Sequence, residues 1–403
     1  MTPRPNSTPE PVGASDPTPP ISNESIPEPT LDVESWLRNT LDDKGSRVAH
    51  PNSASTTRAT SASTTHALRN RLRLRTVAVC TVFFVLLAAL FTVTLLLGEA
   101  GLTAREVFEA FTGQAVPVVQ FVVLELRLPR AVAAALVGVC LGVAGAVFQS
   151  VLRNPLASPD IIGVTSGAAA AGIVGVLIFR LSGLSLMAVV VLGGILAAAV
   201  VGLLAWRHGM QGFRLVLIGI GVAAVCTAIT SYMMTKVELR DATVAYTWLT
   251  GSLASVQVGT VTVAAIGAAA CLALLALSTR KLRALELGDD TATGLGFHVE
   301  QDRVIVLALA VVLTALAVGV AGPISFVALM APHIARRLVG GTSLSLAASA
   351  AVGGALVSGA DLLAQYAIPG QAFPVGVVTG ALGAPYLAWL LSRSSSSRPG
   401  GNS

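Results

Sequence analysis

Charged residues are scarce in this chain of 403 residues. Asp, Glu, Lys and Arg make up 12% of it, whereas hydrophobic residues make up 54% and the mean hydropathy is +0.76. Soluble globular proteins carry about 25% charged residues, so this composition excludes that class. It is typical of a polytopic α-helical membrane protein, because each crossing needs roughly 20 apolar residues. The apolar runs are continuous and do not alternate, which argues against a closed β-barrel.

Three other features are rare or missing. The chain has few cysteines, it has no phosphate-binding loop, and its apolar runs contain almost no acidic residues. The four cysteines lie within apolar runs, which predicts packing residues and not disulfides or metal ligands. The sequence has no G-x-x-x-x-G-K-[ST] phosphate loop. Only Asp361 approaches the interior of an apolar run, although ion-coupled transporters usually need a carboxylate there. We therefore expect no catalytic, cofactor or metal site, and we expect a partner subunit to supply the energy.

The chain divides into three regions by composition. Residues 1–70 are rich in Ser, Thr and Pro, which predicts a disordered tail, and MTPRPNSTPE lacks the apolar core of a signal peptide. Residues 71–394 form the predicted transmembrane domain, and 395–403 form a short second tail. The apolar runs predict ten spans at about 76–97, 130–151, 160–180, 185–206, 213–235, 255–279, 303–321, 323–338, 344–364 and 374–392.

The distribution of basic residues predicts the orientation. Arg69, Arg71, Arg73 and Arg75 precede the first span and should hold it with its N-terminal side in the cytoplasm. If all ten spans cross, most other basic loop residues also fall on the cytoplasmic side, and both termini lie there. The net charge of +5 then reflects topology and lipid contact, and no nucleic-acid partner is expected. Arg127 and Arg130 fall on the opposite side, where they either snorkel to the interface or dock an acidic external protein.

The second span and the turn after it carry the most informative pattern. Gly138 and Gly142 form a G-x-x-x-G pair that lets another helix approach closely, and Gly145 continues the same thin surface. Gln149 is expected to form a hydrogen bond between helices. The dipeptides that contain Pro155 and Pro159 predict a tight cytoplasmic turn. Asn154 and Gly163 are also expected to shape this turn and the packing of the helices around it.

Residues 280–303 predict a platform of two short helices on the cytoplasmic surface. LRALELG is typical of one helix that ends at Gly288, and DDTATGLG is typical of a second with acidic residues in its first turn. A solvated loop is the alternative, although it would leave Leu285, Leu287, Leu295 and Phe297 needlessly exposed.

The eighth span is interrupted by prolines. Gly322-Pro323 predicts a helix start, Pro332 a kink and Arg336-Arg337 a cytoplasmic end. His333 could serve a proton relay, but no carboxylate is near it in sequence, so a backbone-bonded histidine is the favoured interpretation.

These motifs together resemble the FecCD-type permeases of ABC importers for ferric siderophores, haem and vitamin B12. The resemblance covers about residues 76–393 and rests on RLPR at 127–130, GAVFQSVLRNPLASPDIIGVTSGA at 145–168 and YTWLTGSL around Trp248. It also rests on LGDDTATGLGFHVEQDR at 287–303, GPISFVALMAPHIARRLVG at 322–340 and PVGVVTGALGAPYLAWLL at 374–391. This sequence departs from the family pattern at Gln365, where the family often has a third arginine that docks the binding protein.

The resemblance implies the fold, the partners and several residue roles. It implies an all-α type II importer permease of about ten transmembrane helices, paired with a second permease subunit in a homo- or heterodimer. Two cytoplasmic ABC ATPases and an extracytoplasmic substrate-binding lipoprotein or periplasmic protein would complete the complex in the bacterial cell membrane. Arg127 and Arg130 resemble arginines that dock the binding protein. The residues that resemble the ATPase-coupling surface are Leu285, Leu287, Gly288, Ala292, Leu295, Gly296 and Arg303.

The sequence thus predicts a non-catalytic permease subunit that moves an iron complex, most simply a ferric siderophore, into the cytoplasm. A secondary transporter or channel that works without ATP is the alternative. A membrane-embedded enzyme is disfavoured, because no His, Asp, Glu and Cys set clusters within the spans.

Overall fold

The computed structural model describes residues 53–97, 101–206, 212–340, 345–368 and 370–395. The chain divides into two units, Met1–Thr65 and His66–Ser403. Most of the predicted tail at 1–70 and nearly all of the tail at 395–403 lie outside the described residues. The first described helix begins at Ser53, so its first turns fall within the region expected to be a tail.

The described residues are almost entirely helical. A π-helical segment, Val122–Arg127, runs directly into α4. The helices are α1 Ser53–Leu96, α2 Ala104–Phe111, α3 Pro117–Phe121, α4 Leu128–Val151, α5 Val164–Leu177, α6 Gly183–Ala205, α7 Gly212–Thr235, α8 Leu239–Leu249, α9 Val258–Leu277, α10 Thr279–Glu286, α11 Asp289–Gly294, α12 Val299–Ala321, α13 Val327–Val339, α14 Leu346–Tyr366 and α15 Val375–Ser395.

Ten of these helices correspond to the ten predicted spans. Seven segments of the described chain are long and apolar enough to cross a membrane, which makes this a multi-pass membrane protein. The seven are Asn70–Leu96, Pro117–Val151, Gly183–Ala205, Gly212–Thr235, Val258–Leu277, Val299–Ala321 and Leu346–Tyr366. Val164–Leu177 and Val375–Leu390 are shorter apolar helices, and the tenth is α13, which contains Pro332.

Helix α4 lies at the centre of the bundle because its surface is made of small residues. An added Cβ at Gly138 would lie 2.2 Å from the Gly353 carbonyl oxygen, and one at Gly142 would lie 2.3 Å from that of Ser349. The contact at Gly145 is closer still, because an added Cβ there would lie 1.7 Å from the Ala328 carbonyl oxygen. The predicted close approach is confirmed, with α14 as the partner of the G-x-x-x-G pair and α13 as the partner of Gly145.

Gly322 ends a helix, and the prediction that it starts one was wrong. It follows the last residue of α12 with φ +71°, and α13 begins only at Val327. A left-handed backbone conformation suits glycine and stops a helix. At this point the chain approaches the segment after α8, because the Ser252 amide donates to the Ala321 carbonyl oxygen at 2.8 Å. The neighbouring Gly251 carbonyl oxygen accepts from the Gly376 amide at 3.1 Å.

A capping box starts the short helix α2 after the first span. The Thr103 hydroxyl accepts from the Glu106 amide, and the Glu106 carboxylate accepts from the Thr103 amide at 2.8 Å. The hydrogen bonds from the Thr103 backbone and hydroxyl lower the pKa of Glu106 below its ordinary value. The first turn of α2 is therefore fixed by its own side chains.

Candidate functional sites at the two ends of helix α4

Arg127 lies at the N-terminal end of α4 and caps a neighbouring helix. Its Nη1 donates to the Leu95 carbonyl oxygen at 2.7 Å and to that of Leu96 at 3.2 Å. The last carbonyls of a helix have no intrahelical partner, and a guanidinium satisfies them while matching the helix dipole. Arg127 thus holds the end of α1, and its side chain stays partly exposed.

Arg130, one turn further along α4, forms a two-point ion pair with Asp361 of α14. Nε lies 3.1 Å from Oδ2, and Nη2 lies 2.9 Å from Oδ1. The Asp361 side chain is 1% exposed and that of Arg130 is 21% exposed. Gln365 donates from Nε2 to Oδ2 at 2.8 Å, so the residue that departs from the family pattern supports this pair. The pairing was not predicted, because the partners are 231 positions apart in sequence.

The turn at the C-terminal end of α4 has the predicted non-helical backbone. Gln149 donates from Nε2 to the Leu329 carbonyl oxygen at 3.1 Å, which confirms the expected hydrogen bond between helices. The Asn154 side chain accepts from the Leu156 amide at 2.9 Å. Arg153 and Gly163 bracket the turn with φ values of +49° and +84°.

The same turn borders a cavity with several polar side chains that the sequence did not reveal. The cavity has a volume of about 290 Å³ and is lined by Asp160, Thr165, Ser166, Ala169, Thr227, Thr230, Leu249, Pro323 and Ser325. The Thr165 hydroxyl donates to the Asp160 carboxylate at 2.6 Å. The sequence gives no local signal for Asp160, because it stands between a proline and two isoleucines at the junction of the predicted tight turn and the predicted third span.

The predicted platform consists of α10 and α11, separated by Gly288 at φ +106°. Leu285 and Ala292 are buried against the bundle. Leu287 and Leu295 are 63% and 60% exposed, so two large apolar side chains stand on the surface of the platform. An exposed apolar surface on a firm support is typical of a protein-binding site.

Arg303 lies beneath the platform and does not point out from it. It is buried, and its guanidinium donates to Asp289 at 2.8 Å and to Glu300 at 3.3 Å. Arg303 therefore stabilises the platform from its buried side. Gly296, with φ +86°, lies at the exposed edge of the platform.

His333 packs edge-on against Tyr386, with the ring centroids 6.0 Å apart. Its Nδ1 is buried without a hydrogen-bond partner among the described residues, so the expected backbone bond is not formed by this atom. The described residues also contain no group of three or more His, Cys, Asp or Glu that could hold a metal ion.

Comparison with known proteins identifies relatives over most of the chain. The model of the FecCD transport family matches residues 86–393. The ferric enterobactin transport system permease protein FepG of Escherichia coli (strain K12) is 44% identical over 74% of this chain and 90% of its own length. The hemin transport system permease protein HmuU of Yersinia pestis is 35% identical over 75% of this chain and 92% of its own length.

A solved structure shows the same architecture. It is described as an inward-facing conformation of a putative metal-chelate type ABC transporter. The match has a TM-score of 0.70 at 28% identity and covers 78% of this chain and 99% of the solved one. The all-α permease architecture is therefore confirmed.

Proposed function

The chain belongs to the FecCD transport family, and from that premise we propose that it carries a ferric siderophore into the bacterial cytoplasm as the permease subunit of an ATP-binding-cassette importer. The family match over residues 86–393 carries the proposal, because it includes both candidate sites and every helix from α2 to α14. Relatives named for ferric enterobactin and for siderophores in general favour this cargo over haem.

Two cytoplasmic ATPase subunits would bind at the platform, one to each of two permease subunits. Exposed Leu287 and Leu295 suit insertion into a cleft, and the buried side of the platform joins it to the bundle. The basic residues at this end, among them Arg336 and Arg337 in the last turn of α13, support a cytoplasmic location. ATP hydrolysis would then take place in the partner chain.

An extracytoplasmic binding protein would dock at the opposite end of α4. Arg127 and Arg130 lie there on adjacent turns with part of each side chain exposed. Their intramolecular contacts fix both guanidinium groups in position, which lowers the entropy cost of binding acidic side chains. Docking by these residues is the part of the proposal that a charge-reversal variant tests.

The function is tested by uptake into proteoliposomes. The complex, co-expressed with its ATPase and any sister permease, is reconstituted with ATP inside and a ferric siderophore on its binding protein outside. We expect uptake that requires ATP and the binding protein. Uptake by the permease alone, driven by an ion gradient, would instead establish the secondary transporter.

A platform variant should abolish this uptake by releasing the ATPase. Leu287→Asp combined with Leu295→Asp places two charges on the proposed contact, and we expect the ATPase to be lost from the purified complex. The control is Leu239→Asp, because Leu239 is a similarly exposed leucine at the start of α8 and far from the platform in the sequence. Retention of the ATPase by the platform variant would contradict the proposed contact.

Arg127 provides the cleanest test of docking. Arg127→Glu should remove the stimulation of ATP hydrolysis by the loaded binding protein and leave the basal rate unchanged. Arg130 is less suitable for charge reversal, because a glutamate there would face Asp361. Undiminished stimulation in Arg127→Glu, measured on a complex of normal thermal stability, would refute the docking role.

A further inference from the structure

The Asp289 carboxylate joins three segments of the chain. It is the first residue of α11 in the platform, and its Oδ1 accepts from Arg153 Nη2 at 2.9 Å and from Arg303 Nη2 at 2.8 Å. Arg153 begins the turn after α4, and Arg303 lies in α12. One carboxylate oxygen therefore connects the platform to the cavity-lining turn and to a central helix.

A second polar contact parallels the first. The Ser150 hydroxyl, in the last turn of α4, donates to Glu286 Oε1 at 2.6 Å. Glu286 ends α10, two residues before Gly288, so both platform helices are tied to the same end of α4. Lys281 adds an ion pair of 2.7 Å with Asp302 at the base of α12.

The contact with Arg153 has features that stability alone does not explain. The Arg153 side chain is 48% exposed, and an ion pair in such a position contributes little to folding. Yet Arg153 adopts φ +49°, a conformation that costs free energy for any residue except glycine. At Gly288 an added Cβ would lie only 3.3 Å from Arg153 Nη1, so the absence of a side chain there gives the guanidinium room. The contact with Arg303 differs, because that side chain is 6% exposed and serves as a buried brace.

We propose that the Arg153–Asp289 pair is the link through which displacement of the platform reaches the turn at residues 152–163. The turn carries Asp160 to the cavity, and the pair is a direct charged contact between the turn and the platform. When a bound ATPase moves α11, Arg153 follows and changes the position of the turn. Arg153 and Asp289 are thus positioning residues that couple ATP hydrolysis to cargo movement. This inference rests on the proposed function.

The test compares the iron taken up per ATP hydrolysed in the reconstituted full complex. Arg153→Ala should keep ATP hydrolysis near the wild-type rate and lower the uptake per ATP at least about fivefold, the lower limit of typical coupling effects. Asp289→Asn should also lower the uptake per ATP. Arg153→Lys should recover part of the coupling, because an ammonium group can still reach the carboxylate. Asp290→Asn is the matched control, since it removes the same charge from the adjacent exposed residue.

Each outcome separates the two proposals. A wild-type ratio of uptake to hydrolysis in Arg153→Ala would overturn the coupling role. A parallel loss of hydrolysis and uptake would also overturn it, because the pair would then only maintain assembly. Absence of ATP-dependent uptake in the wild-type complex would refute the proposed function itself.

Discussion

Gly145→Ala is expected to prevent normal packing of the helix bundle. The new Cβ would lie 1.7 Å from the Ala328 carbonyl oxygen, 2.5 Å from its carbonyl carbon and 2.9 Å from its α-carbon. All three are backbone atoms, so no side-chain rotation can relieve the overlap, and α4 and α13 must separate. We expect destabilisation of about 3 kcal/mol, the upper end of the cost of overpacking a core.

Thermal unfolding in detergent measures this effect. The variant should show a lower midpoint and a smaller monodisperse fraction after purification. Gly202→Ala in α6 is the control, because no atom of the described residues outside its own helix lies within 4 Å of the added Cβ and alanine favours the helix. If the two variants melt at the same temperature, the close contact between α4 and α13 does not determine stability.

Asp361→Leu should destabilise the protein by about 3 kcal/mol, because it leaves the Arg130 guanidinium among packed helices without its carboxylate. Removing one partner of a buried pair costs more than replacing both partners by apolar residues. The double variant Arg130→Met with Asp361→Leu should therefore recover most of the lost thermal stability.

The double variant also separates folding from docking. If Arg130 contacts the binding protein, the stabilised double variant should still show weaker stimulation of ATP hydrolysis. A double variant that is no more stable than Asp361→Leu would show that the ion pair does not explain the defect.

Local patterns predicted the parts of the fold that depend on neighbouring residues. The spacing of Gly138 and Gly142 predicted a thin helix surface, and Gly288 correctly divided the two platform helices. The tight turn followed from its two prolines. These features depend on backbone sterics within a few residues, which a single sequence contains.

The remaining features depend on contacts between residues far apart in the sequence. Nothing near Arg130 or Asp361 indicates that α4 and α14 pack with these two side chains in register. Arg303 was expected to face the ATPase, but the position of Asp289 across a tight connection turns it inward. The prediction for Gly322 was wrong because glycine followed by proline is also typical of a helix start, whereas the positive φ of Gly322 ends α12.

The two shortest membrane helices have a consequence for the electrical barrier across the membrane. With 14 and 13 residues, α5 and α13 extend only about 20 Å, whereas the hydrocarbon layer is about 30 Å thick. The irregular segments that precede them meet at the cavity lined by Asp160, Thr165 and Ser325. Non-helical backbone at this depth requires protein or water around it. Water in this cavity would raise the local dielectric constant, so the insulating layer beside it would be thinner than the membrane presents elsewhere.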